Sequence, residues 1–220
     1  MIEIPLTGGK TNVGIVKVGD TVRRPINGNS KFVQELLCYL EKVGFNESPR
    51  FLGIDEQGRE IFSYIKGYVP SNLGMWSDAQ LVAAAKFIKR FHDVSVGSEF
   101  AGKAEVVCHN DLSPCNFVFI DNIPAAIIDF DAAAPGTRVC DLAYAAWLWL
   151  DIGNDEIIPD EQKRRLLLFA EAYGFADIQL IIDTMMLRQR EMFEEALRRQ
   201  KNCMANWANS GLEWVRRYLK

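Results

Sequence analysis

The sequence predicts an α+β fold made of a small β-rich lobe followed by a larger, mainly helical lobe. Three observations support this: two β-hairpin patterns within the first 67 residues, helical periodicity through most of residues 68–220, and a third hairpin pattern in the middle of the chain. With 220 residues, 49% of them apolar, the chain can bury one good-sized core or two small ones. We therefore expect an N-terminal domain over residues 1–67 and a C-terminal domain over residues 68–220.

The small lobe is predicted from apolar alternation around turns that contain Gly and Asp. Residues 14–24 and 51–65 each have the pattern of a hairpin. Between them, apolar residues recur at helical spacing and predict a helix over residues 31–43, with Asn29 or Ser30 as its N-cap. These elements give a small sheet accompanied by one helix.

The large lobe is predicted to be built mainly from helices. One of its segments is apolar and rich in Trp, which indicates a helix that is buried on most sides. The last segment is expected to break near Asn202 or Asn206. The four helical segments are residues 78–94, 141–150, 161–173 and 177–220.

Composition and charge exclude several classes of function. The chain has 25 basic and 29 acidic residues, a formal net charge of −4, which is atypical of a nucleic-acid-binding protein. We find no apolar run as long as a membrane span and no basic segment followed by an apolar one at the N-terminus. The five cysteines are scattered without a CxxC pair, which favours reduced thiols. We expect a cytoplasmic protein that binds neither nucleic acid nor membrane.

The most informative feature is a pair of acidic clusters separated by the third hairpin. Asp111 and Asn116 lie in the segment 109–116, His-Asn-Asp-Leu-Ser-Pro-Cys-Asn, and Asp129 follows the second strand of the hairpin. Apolar runs flank an Asp-Asn turn at 121–122, as in many hairpins. Because a hairpin returns the chain on itself, we expect Asp129 to lie beside the other two residues. Two carboxylates and an amide oxygen suit an octahedral Mg²⁺ that carries nucleotide phosphates.

These motifs resemble those of the protein-kinase-like fold, and within it those of the aminoglycoside phosphotransferase and choline kinase families. The segment 109–116 is similar to the His-Gly-Asp-x-x-x-x-Asn loop of those families, and residues 128–130 are similar to their Ile-Asp-Phe motif. The resemblance implies a two-lobe kinase-like fold. It also implies an Mg²⁺-dependent phosphotransferase that moves the γ-phosphoryl group of ATP or GTP to a hydroxyl of a small molecule.

The resemblance also assigns roles to residues of the two clusters. Asp111 matches the catalytic base that accepts the proton of the acceptor hydroxyl. Asn116 and Asp129 match the Mg²⁺ ligands, and His109 matches a loop residue that orients the backbone.

Three further polar residues near the motifs have less specific interpretations. Asp141 matches a helix-start residue of the family that can brace the catalytic loop by hydrogen bonds. Asp131 is either a second metal carboxylate or a cap, and the cap is the favoured interpretation. His92 lies in a helical segment and is expected to be a packed histidine and not a ligand.

The phosphate-binding part departs from the family pattern. A glycine-containing stretch at Gly8, Gly9, Asn12 and Gly14 would let backbone N–H groups approach phosphates, but it has neither P-loop nor full GxGxxG spacing.

The lysine of the family strand is also missing, because residues 21–24 contain Arg23 and Arg24 in its place. These two arginines alternate faces of the strand, so one of them can point into the cleft and bind the nucleotide. Glu35 on the following helix either pairs with that arginine or is a solvated charge. The missing lysine leaves an alternative open: a pseudokinase-like module that binds nucleotide with little or no turnover.

The hinge between the lobes is expected to hold the nucleotide base. It lies where residues 66–70 interrupt the strand pattern, and Tyr64, Ile65 and Gly67 are its predicted base-binding residues.

The acceptor is predicted to be a small hydroxylated metabolite, although the sequence does not identify it. The segment 97–105 is short where aminoglycoside-modifying relatives carry a longer insertion. Cationic antibiotics need an acidic wall, and Asp151, Asp155 and Glu156 are candidates for one. The C-terminal region, however, is rich in arginine. The arginines concerned are Arg188, Arg190, Arg198 and Arg199.

Overall fold

The computed structural model describes residues 2–6 and 14–220 and has the predicted α+β architecture. The first part of the chain contains β1 (Ile4–Pro5), β2 (Val16–Val18), β3 (Thr21–Arg24), α1 (Ser30–Lys42), β4 (Phe51–Ile54) and β5 (Glu60–Ser63). The second part contains α2 (Asp78–Ser95), β6 (Val106–Cys108), β7 (Phe117–Ile120), β8 (Ile123–Ile127), β9 (Ala134–Gly136), α3 (Arg138–Trp149), α4 (Pro159–Tyr173), α5 (Ile178–Arg198) and α6 (Asn202–Tyr218). The division at residue 67 itself stays a prediction.

Five antiparallel strands form the sheet of the first part, in the order β1-β2-β3-β5-β4. The two predicted hairpins are β2–β3 and β4–β5, so both are confirmed. Because β3 lies beside β5, Arg24 at the end of β3 is directly opposite Glu60 at the start of β5. This register places one cation and one carboxylate from different hairpins side by side.

Helix α1 packs against the same core as the larger part. Its buried residues include Leu36 and Leu40, which recur at the spacing of one helical face. They belong to one continuous apolar cluster with Phe62 of the sheet and with Leu81 and Phe91 of α2. The two parts of the molecule therefore share a core, which fixes the cleft between them.

The predicted hinge follows β5 and crosses closely over the middle hairpin. Tyr68 exchanges backbone hydrogen bonds with Phe119, N to O at 2.9 Å and O to N at 2.7 Å. A Cβ atom on Gly67 would meet the Val118 side chain and would lie 2.6 Å from the Phe119 carbonyl oxygen. Gly67 is therefore required because two backbones approach each other here.

The helices of the second part follow the prediction with shifted ends. Helix α3 begins at Arg138, three residues before the predicted start at Asp141. The predicted break in the last helical stretch occurs slightly earlier than expected, between Arg198 and Asn202, where Gln200 adopts a φ of 57°. In the part of the chain that the structure describes, we find no helix with the length and apolarity needed to cross a membrane.

The middle hairpin is confirmed and joins the two acidic clusters. Strands β7 and β8 pair through Phe117 and Ile127, and positive φ values of 49° at Asp121 and 62° at Asn122 form the tight turn. The Ile128 N–H donates to the carbonyl oxygen of Asn116 at 2.9 Å. The hairpin thus brings the residue before Asp129 into contact with the end of the catalytic loop, as the sequence predicted.

Candidate active site

Two short strands hold the ends of the loops that carry the acidic residues. Strand β6 pairs antiparallel with β9, with Cys108 opposite Ala134. The catalytic loop, residues 109–116, leaves β6, and the segment 129–133 leads into β9. The two loops therefore run side by side over the same sheet edge.

A buried carboxylate braces the catalytic loop. Asp141 has no exposed surface and accepts hydrogen bonds from the backbone N–H groups of His109 at 2.7 Å and Asn110 at 2.8 Å. His92 Nε2 lies 3.0 Å from the same carboxylate. Burial raises the pKa of Asp141, but the hydrogen bond and charge of His92, with help from His109, outweigh it and hold this pKa below its usual value. The bracing that the family resemblance implied is thus present.

His92 is a packed histidine, as predicted, and it also extends this network. Its side chain is fully buried, and its Nδ1 lies 2.7 Å from the Tyr173 hydroxyl. The two ring nitrogens of His92 thus contact both the Tyr173 hydroxyl and the Asp141 carboxylate. Burial is the main cause that raises the pKa of Tyr173 to about 12, so its hydroxyl remains a donor. Helices α2, α3 and α4 are therefore joined behind the loop.

His109 connects the catalytic loop to the segment that precedes Asp129. Its Nε2 lies 3.1 Å from the carbonyl oxygen of Ile128, and its ring packs against Phe130 with 4.7 Å between ring centroids. The His109 side chain is completely buried. It therefore fixes the backbone on both sides of Asp129, while its role in catalysis stays a prediction.

Asp111 is held from two sides at the mouth of the cleft. Asn116 Nδ2 donates to the Asp111 carboxylate oxygen Oδ2 and to its carbonyl oxygen, both at 2.8 Å. The Tyr144 hydroxyl lies 3.4 Å from the other carboxylate oxygen, Oδ1. Burial, followed by the charge of Asp111, raises the pKa of Tyr144, so this phenol stays protonated. The weakly bonded Oδ1 is the atom free to accept a proton.

Asp129 lies at a strained position beside other carboxylates. Its backbone is left-handed, with φ 65° and ψ 64°. Burial is the main cause that raises the pKa of Asp129, and the charges of Asp131 and Asp111 raise it further against His109 and Arg24. An ionised carboxylate that is desolvated and close to like charges is stabilised by a nearby cation.

The donor set at this position fits a magnesium ion. Within residues 2–6 and 14–220, no three His, Cys, Asp or Glu side chains are grouped as a metal site. The site predicted here uses an amide as well, and Asn116 lies outside that residue set. Because Asn116 Nδ2 is engaged by Asp111, its amide oxygen remains to bind a cation together with Asp129. The hard oxygen donors and the unbalanced acidic charge both suit Mg²⁺.

Arg24 is the arginine that points into the cleft, and its partner differs from the predicted one. Its Nε donates to Glu60 at 2.8 Å, and its Nη1 lies 2.5 Å from Asp131. The predicted alternative of a pair with Glu35 is wrong, because α1 presents Gln34 to the sheet, where it donates to Glu60 at 2.8 Å. Glu35 is exposed and lies 4.0 Å from Lys31, so it is the solvated charge.

Arg23 lies on the opposite face of the sheet, as strand alternation requires. It donates to the Thr21 hydroxyl at 2.5 Å and lies 3.6 Å from Asp55 in the β4–β5 turn. The guanidinium of Arg23 therefore has its partners, Thr21 and Asp55, within the small sheet and its turn. Its predicted contact with the nucleotide therefore has less structural support than that of Arg24.

Asp131 anchors the small sheet to the catalytic half of the molecule. Besides Arg24, it accepts a hydrogen bond from Asn27 Nδ2 at 2.9 Å. Asn29 Nδ2 donates to the carbonyl oxygens of Asp131 at 2.9 Å and Ala133 at 3.2 Å. Asp131 is thus an ion-pair residue and not the helix cap that was the favoured prediction, while its role as a second metal carboxylate stays a prediction. Asn29 begins α1 without a side-chain cap.

The three predicted base-binding residues follow the end of β5 at Ser63. Tyr64 and Ile65 are half-buried, and the Tyr64 ring lies beneath Lys17, with 3.8 Å from Nζ to the ring centroid. Gly67 is exposed and is fixed by its approach to β7. The binding of a base by these three residues stays a prediction. Of the glycine-containing stretch, Gly8, Gly9 and Asn12 lie outside the described residues.

A cavity of ≈ 290 Å³ lies beside the last two helices and reaches Tyr144, whose hydroxyl is 3.4 Å from the Asp111 carboxylate. Tyr144, which contacts Asp111, forms one wall, and one face of α5 forms another. The acidic residues suggested as an antibiotic-binding wall, residues 151, 155 and 156, lie in the connection between α3 and α4. The lining residues are Tyr144, Arg188, Glu191, Met192, Glu195, Ala196, Arg199, Lys201 and Met204.

Four contributors to the site were not identified from the sequence: Glu60, Asn27, Tyr144 and Asn29. Each acts through a partner at least 33 residues away in the chain. Only Glu60 has a feature that is visible in the local sequence, a charged residue at the start of an apolar strand. The structure buries this residue completely. Such a residue requires a cationic partner, although the sequence does not say which one.

Comparison with known proteins confirms the predicted resemblance and fold. Residues 98–177 match the model of the phosphotransferase enzyme family. The chain is similar in structure to a choline kinase, LicA, from Streptococcus pneumoniae, with a TM-score of 0.67 and 13% identity over 99% of this chain and 94% of that one. It is also similar to an aminoglycoside phosphotransferase, APH(2")-IIa, in complex with gentamicin, with a TM-score of 0.65 and 15% identity over 96% and 90% of the two chains.

A further match has higher sequence identity than these two structures and is named as an immunity protein, not as a kinase or phosphotransferase. The chain is 29% identical over 197 residues to the trifolitoxin immunity protein of Rhizobium leguminosarum bv. trifolii. The match covers 82% of this chain and 73% of the relative. It spans both the small sheet and the helical part.

Replacing Asp141 by Asn is expected to destabilise the protein and slow its reaction. The amide cannot satisfy His92 and both loop N–H groups, so the free energy of unfolding should fall by about 3 kcal/mol. The difference in free energy of unfolding between wild type and variant should be complete at neutral pH. Because the pKa of Asp141 is lowered in the folded state, this difference should decrease once the pH falls below about 4, where the unfolded carboxyl protonates. It should be lost as the pH passes the lower pKa of the folded state.

Urea unfolding at several pH values measures this effect, with Asp160→Asn as the matched control. Asp160 is 93% exposed at the start of α4, so its variant should stay within about 0.5 kcal/mol of wild type. Equal stability of the Asp141 variant and the control would contradict the bracing role.

Replacing Asp129 by Asn is expected to separate stability from metal binding. Since the pKa of Asp129 is raised, its ionised form costs stability above the ordinary Asp pKa, and the neutral amide should remove that cost. In EDTA the Tm should rise by about 2–4 °C, the shift that ~1 kcal/mol produces in a protein of this size. The additional stabilisation by MgATP or MgGTP should be lost.

Thermal unfolding with and without magnesium nucleotide measures both effects. Asp121→Asn, at the exposed turn of the same hairpin, is the control and should behave as wild type. A variant of Asp129 that keeps the full magnesium-dependent shift would show that this carboxylate is not a metal ligand.

Proposed function

We propose, on the premise of the phosphotransferase family match, that this chain transfers the γ-phosphoryl group of ATP or GTP to a hydroxyl of a small molecule. The observation that carries the proposal is the contact between the two ends of the β7–β8 hairpin, where the N–H of Ile128, next to Asp129, donates to the Asn116 carbonyl oxygen at 2.9 Å. Asn116 bonds Asp111 directly, and the charge of Asp111 reaches Asp129. Phosphoryl transfer requires positioning, charge neutralisation and a proton acceptor, and these residues can supply all three.

Asp111 is the proposed catalytic base. Asn116 fixes one carboxylate oxygen at 2.8 Å, while the other has only the long 3.4 Å contact with Tyr144. An acceptor hydroxyl that enters from the adjoining cavity would meet this second oxygen. The carboxylate then accepts the hydroxyl proton while the acceptor oxygen bonds to the γ-phosphorus in line. The bond from that phosphorus to the bridging oxygen breaks, and ADP or GDP leaves.

Asn116 and Asp129 are the proposed ligands of a magnesium ion. When bound, Mg²⁺ neutralises charge on the phosphate oxygens of the nucleotide. The chain's own contribution is to hold the two ligands by the β7–β8 hairpin and the His109 contact to Ile128. Asp129 lies one residue beyond that contact, so the backbone next to it is held by the His109 ring.

Arg24 is the proposed substitute for the family lysine. It is buried, lies 4.8 Å from the centre of the Phe62 ring, and keeps Nη2 without a hydrogen-bond partner in the described part of the chain. A phosphate oxygen of the nucleotide could occupy that position. This placement, together with the family match, makes a pseudokinase-like module the less favoured alternative.

Replacing Asp111 by Asn is expected to lower kcat by about 10²–10⁴-fold, the usual contribution of a general base. Nucleotide affinity should change little, because the amide keeps the size of the carboxylate. ADP or GDP release with a panel of hydroxyl acceptors measures the rate, and Asp160→Asn is again the exposed control. Full activity in the Asp111 variant would show that another group accepts the proton.

A second candidate function is toxin immunity, favoured by the 29% identity to the trifolitoxin immunity protein over 82% of this chain. If this chain shares that function, we infer that protection depends on phosphoryl transfer, because a match over 82% of this chain must include its candidate catalytic loop at residues 109–116. The two candidates would then describe one activity.

Expression in a trifolitoxin-sensitive strain tests this candidate. Wild-type chain is expected to allow growth at toxin concentrations that stop the empty-vector strain, and Asp111→Asn is expected to abolish the protection. Growth inhibition equal to that of the vector strain would remove immunity to this toxin as a function. Protection by the Asp111 variant, confirmed to be present at equal amounts, would separate immunity from catalysis.

A further inference from the structure

We propose that the acceptor carries an anionic group, a carboxylate or a phosphate, and that Arg188 binds it in the cavity beside Asp111. The inference rests on the proposed function, since it names the class of acceptor for that reaction. It assigns a specificity role to a residue outside the catalytic motifs.

The position of Arg188 is the first argument. Its guanidinium carbon lies 5.1 Å from the centre of the Tyr144 ring, within the range of a cation–π contact. The hydroxyl of the same tyrosine contacts Asp111. The cation is thus one aromatic side chain away from the proposed base. A small molecule could place a hydroxyl at Asp111 and an anionic group at Arg188.

The unused hydrogen-bonding capacity of Arg188 is the second argument. Its Nε is buried and has no hydrogen-bond partner among the described residues. Its nearest carboxylate, Glu191, lies 3.6 Å from Nη1, beyond hydrogen-bond length, and is 67% exposed to solvent. A guanidinium that is 27% exposed and incompletely paired is well suited to bind a carboxylate or phosphate through two parallel hydrogen bonds.

The charge balance of the cavity is the third argument. Of its two glutamates, Glu195 is engaged by Arg198 and Arg199, each at 2.5 Å. Glu191 is the exposed partner of Arg188, and Lys201 adds a further cation to the lining. The lining therefore has no excess of acidic groups. A cationic acceptor would meet more repulsion than attraction here, whereas an anion would find a cation at the inner end.

The size of the cavity limits the acceptor to a compact molecule. Its volume of ≈ 290 Å³ is near the lower limit of ligand sites, which span about 300–1,000 Å³. Met192 and Met204 line it together with the charged residues, so the acceptor also contacts an apolar surface. A short hydroxy acid or a sugar-sized phosphate satisfies these requirements.

Matched acceptor pairs test the proposal with the full chain and magnesium nucleotide. Glycerate is compared with glyceramide, and glycerol 3-phosphate with glycerol, so that each pair differs in the anionic group. Kanamycin serves as the cationic acceptor. Transfer is measured by nucleoside diphosphate release. Binding of each compound is measured by calorimetry in the Asp111→Asn variant without nucleotide, so that no acceptor is consumed.

The expected result is that the anionic member of at least one pair is bound and phosphorylated in preference to its neutral analogue. Preference for glycerate indicates a carboxylate site, and preference for glycerol 3-phosphate indicates a phosphate site. Arg188→Gln should raise the KM for that anion by about 10–100-fold, the loss of a charge-assisted bidentate contact. The KM for the neutral analogue and for the nucleotide should not change.

Two variants separate recognition from a structural role. Arg190→Gln removes an exposed arginine from the same helix and should leave all parameters at wild-type values. Arg188→Lys keeps the positive charge but lacks the two parallel N–H donors of a guanidinium, so it should restore part of the affinity for the anion. If Arg188→Gln weakens anionic and neutral acceptors equally, Arg188 only supports Tyr144 and the proposal is wrong.

The remaining outcomes distinguish this inference from the proposed function. Transfer to kanamycin or to a neutral acceptor, with a KM insensitive to Arg188→Gln, would overturn the anion site while the phosphotransferase function stands. Binding of an anion through Arg188 without transfer to any acceptor would support the site and contradict the function. Absence of both anion binding and anion transfer would overturn the inference.

Discussion

The catalytic half of this molecule depends on one buried carboxylate. Asp141 is desolvated completely, and such a group is tolerated only when its oxygens are hydrogen-bonded. Its donors come from two separate elements: His92 on α2, and the backbone N–H groups of His109 and Asn110 in the loop. Asn110 has a left-handed φ of 63°, so the loop turns sharply there and Asp111 follows at once. The packing of α2 against α3 thereby determines where the proposed base lies, and the loop itself needs little intrinsic order.

In the cleft an arginine takes the place of the family lysine, and the carboxylates around it outnumber it. Arg24 is the buried guanidinium at this position, and it contacts both Glu60 and Asp131. Asp129 adds a third carboxylate, whose raised pKa reflects burial and the proximity of like charge. One guanidinium against three carboxylates leaves this group of residues negative, and a triphosphate would be repelled from it. A divalent cation held by Asp129 would offset this negative charge.

Local sequence patterns predicted most of the fold. The features they did not predict depend on pairing between strands that are distant in the sequence. Hairpins and amphipathic helices depend on residues close in sequence, so their existence was correctly predicted. Strand β9 contains Pro and Gly and exists because β6 lies beside it, which no local pattern indicates. In the same way Glu60 became the partner of Arg24 through the neighbouring positions of β3 and β5. For Glu35 the sequence left both pairing and solvation open, because it does not determine which face of α1 meets the sheet.

The same limit applies to the acceptor site, where the face of a helix matters more than its composition. The sequence of α5 is rich in arginine, yet the structure divides these residues between two surfaces. Arg188 and Arg199 are separated by three helical turns and line one cavity, whereas Arg190 is exposed on another face. A count of charges would treat all three alike, although only a cation beside Tyr144 can act on a molecule held at Asp111. Because α5 contributes neither the loop at residues 109–116 nor its Asp141 brace, a substitution on this face of α5 reaches Asp111 only through Tyr144.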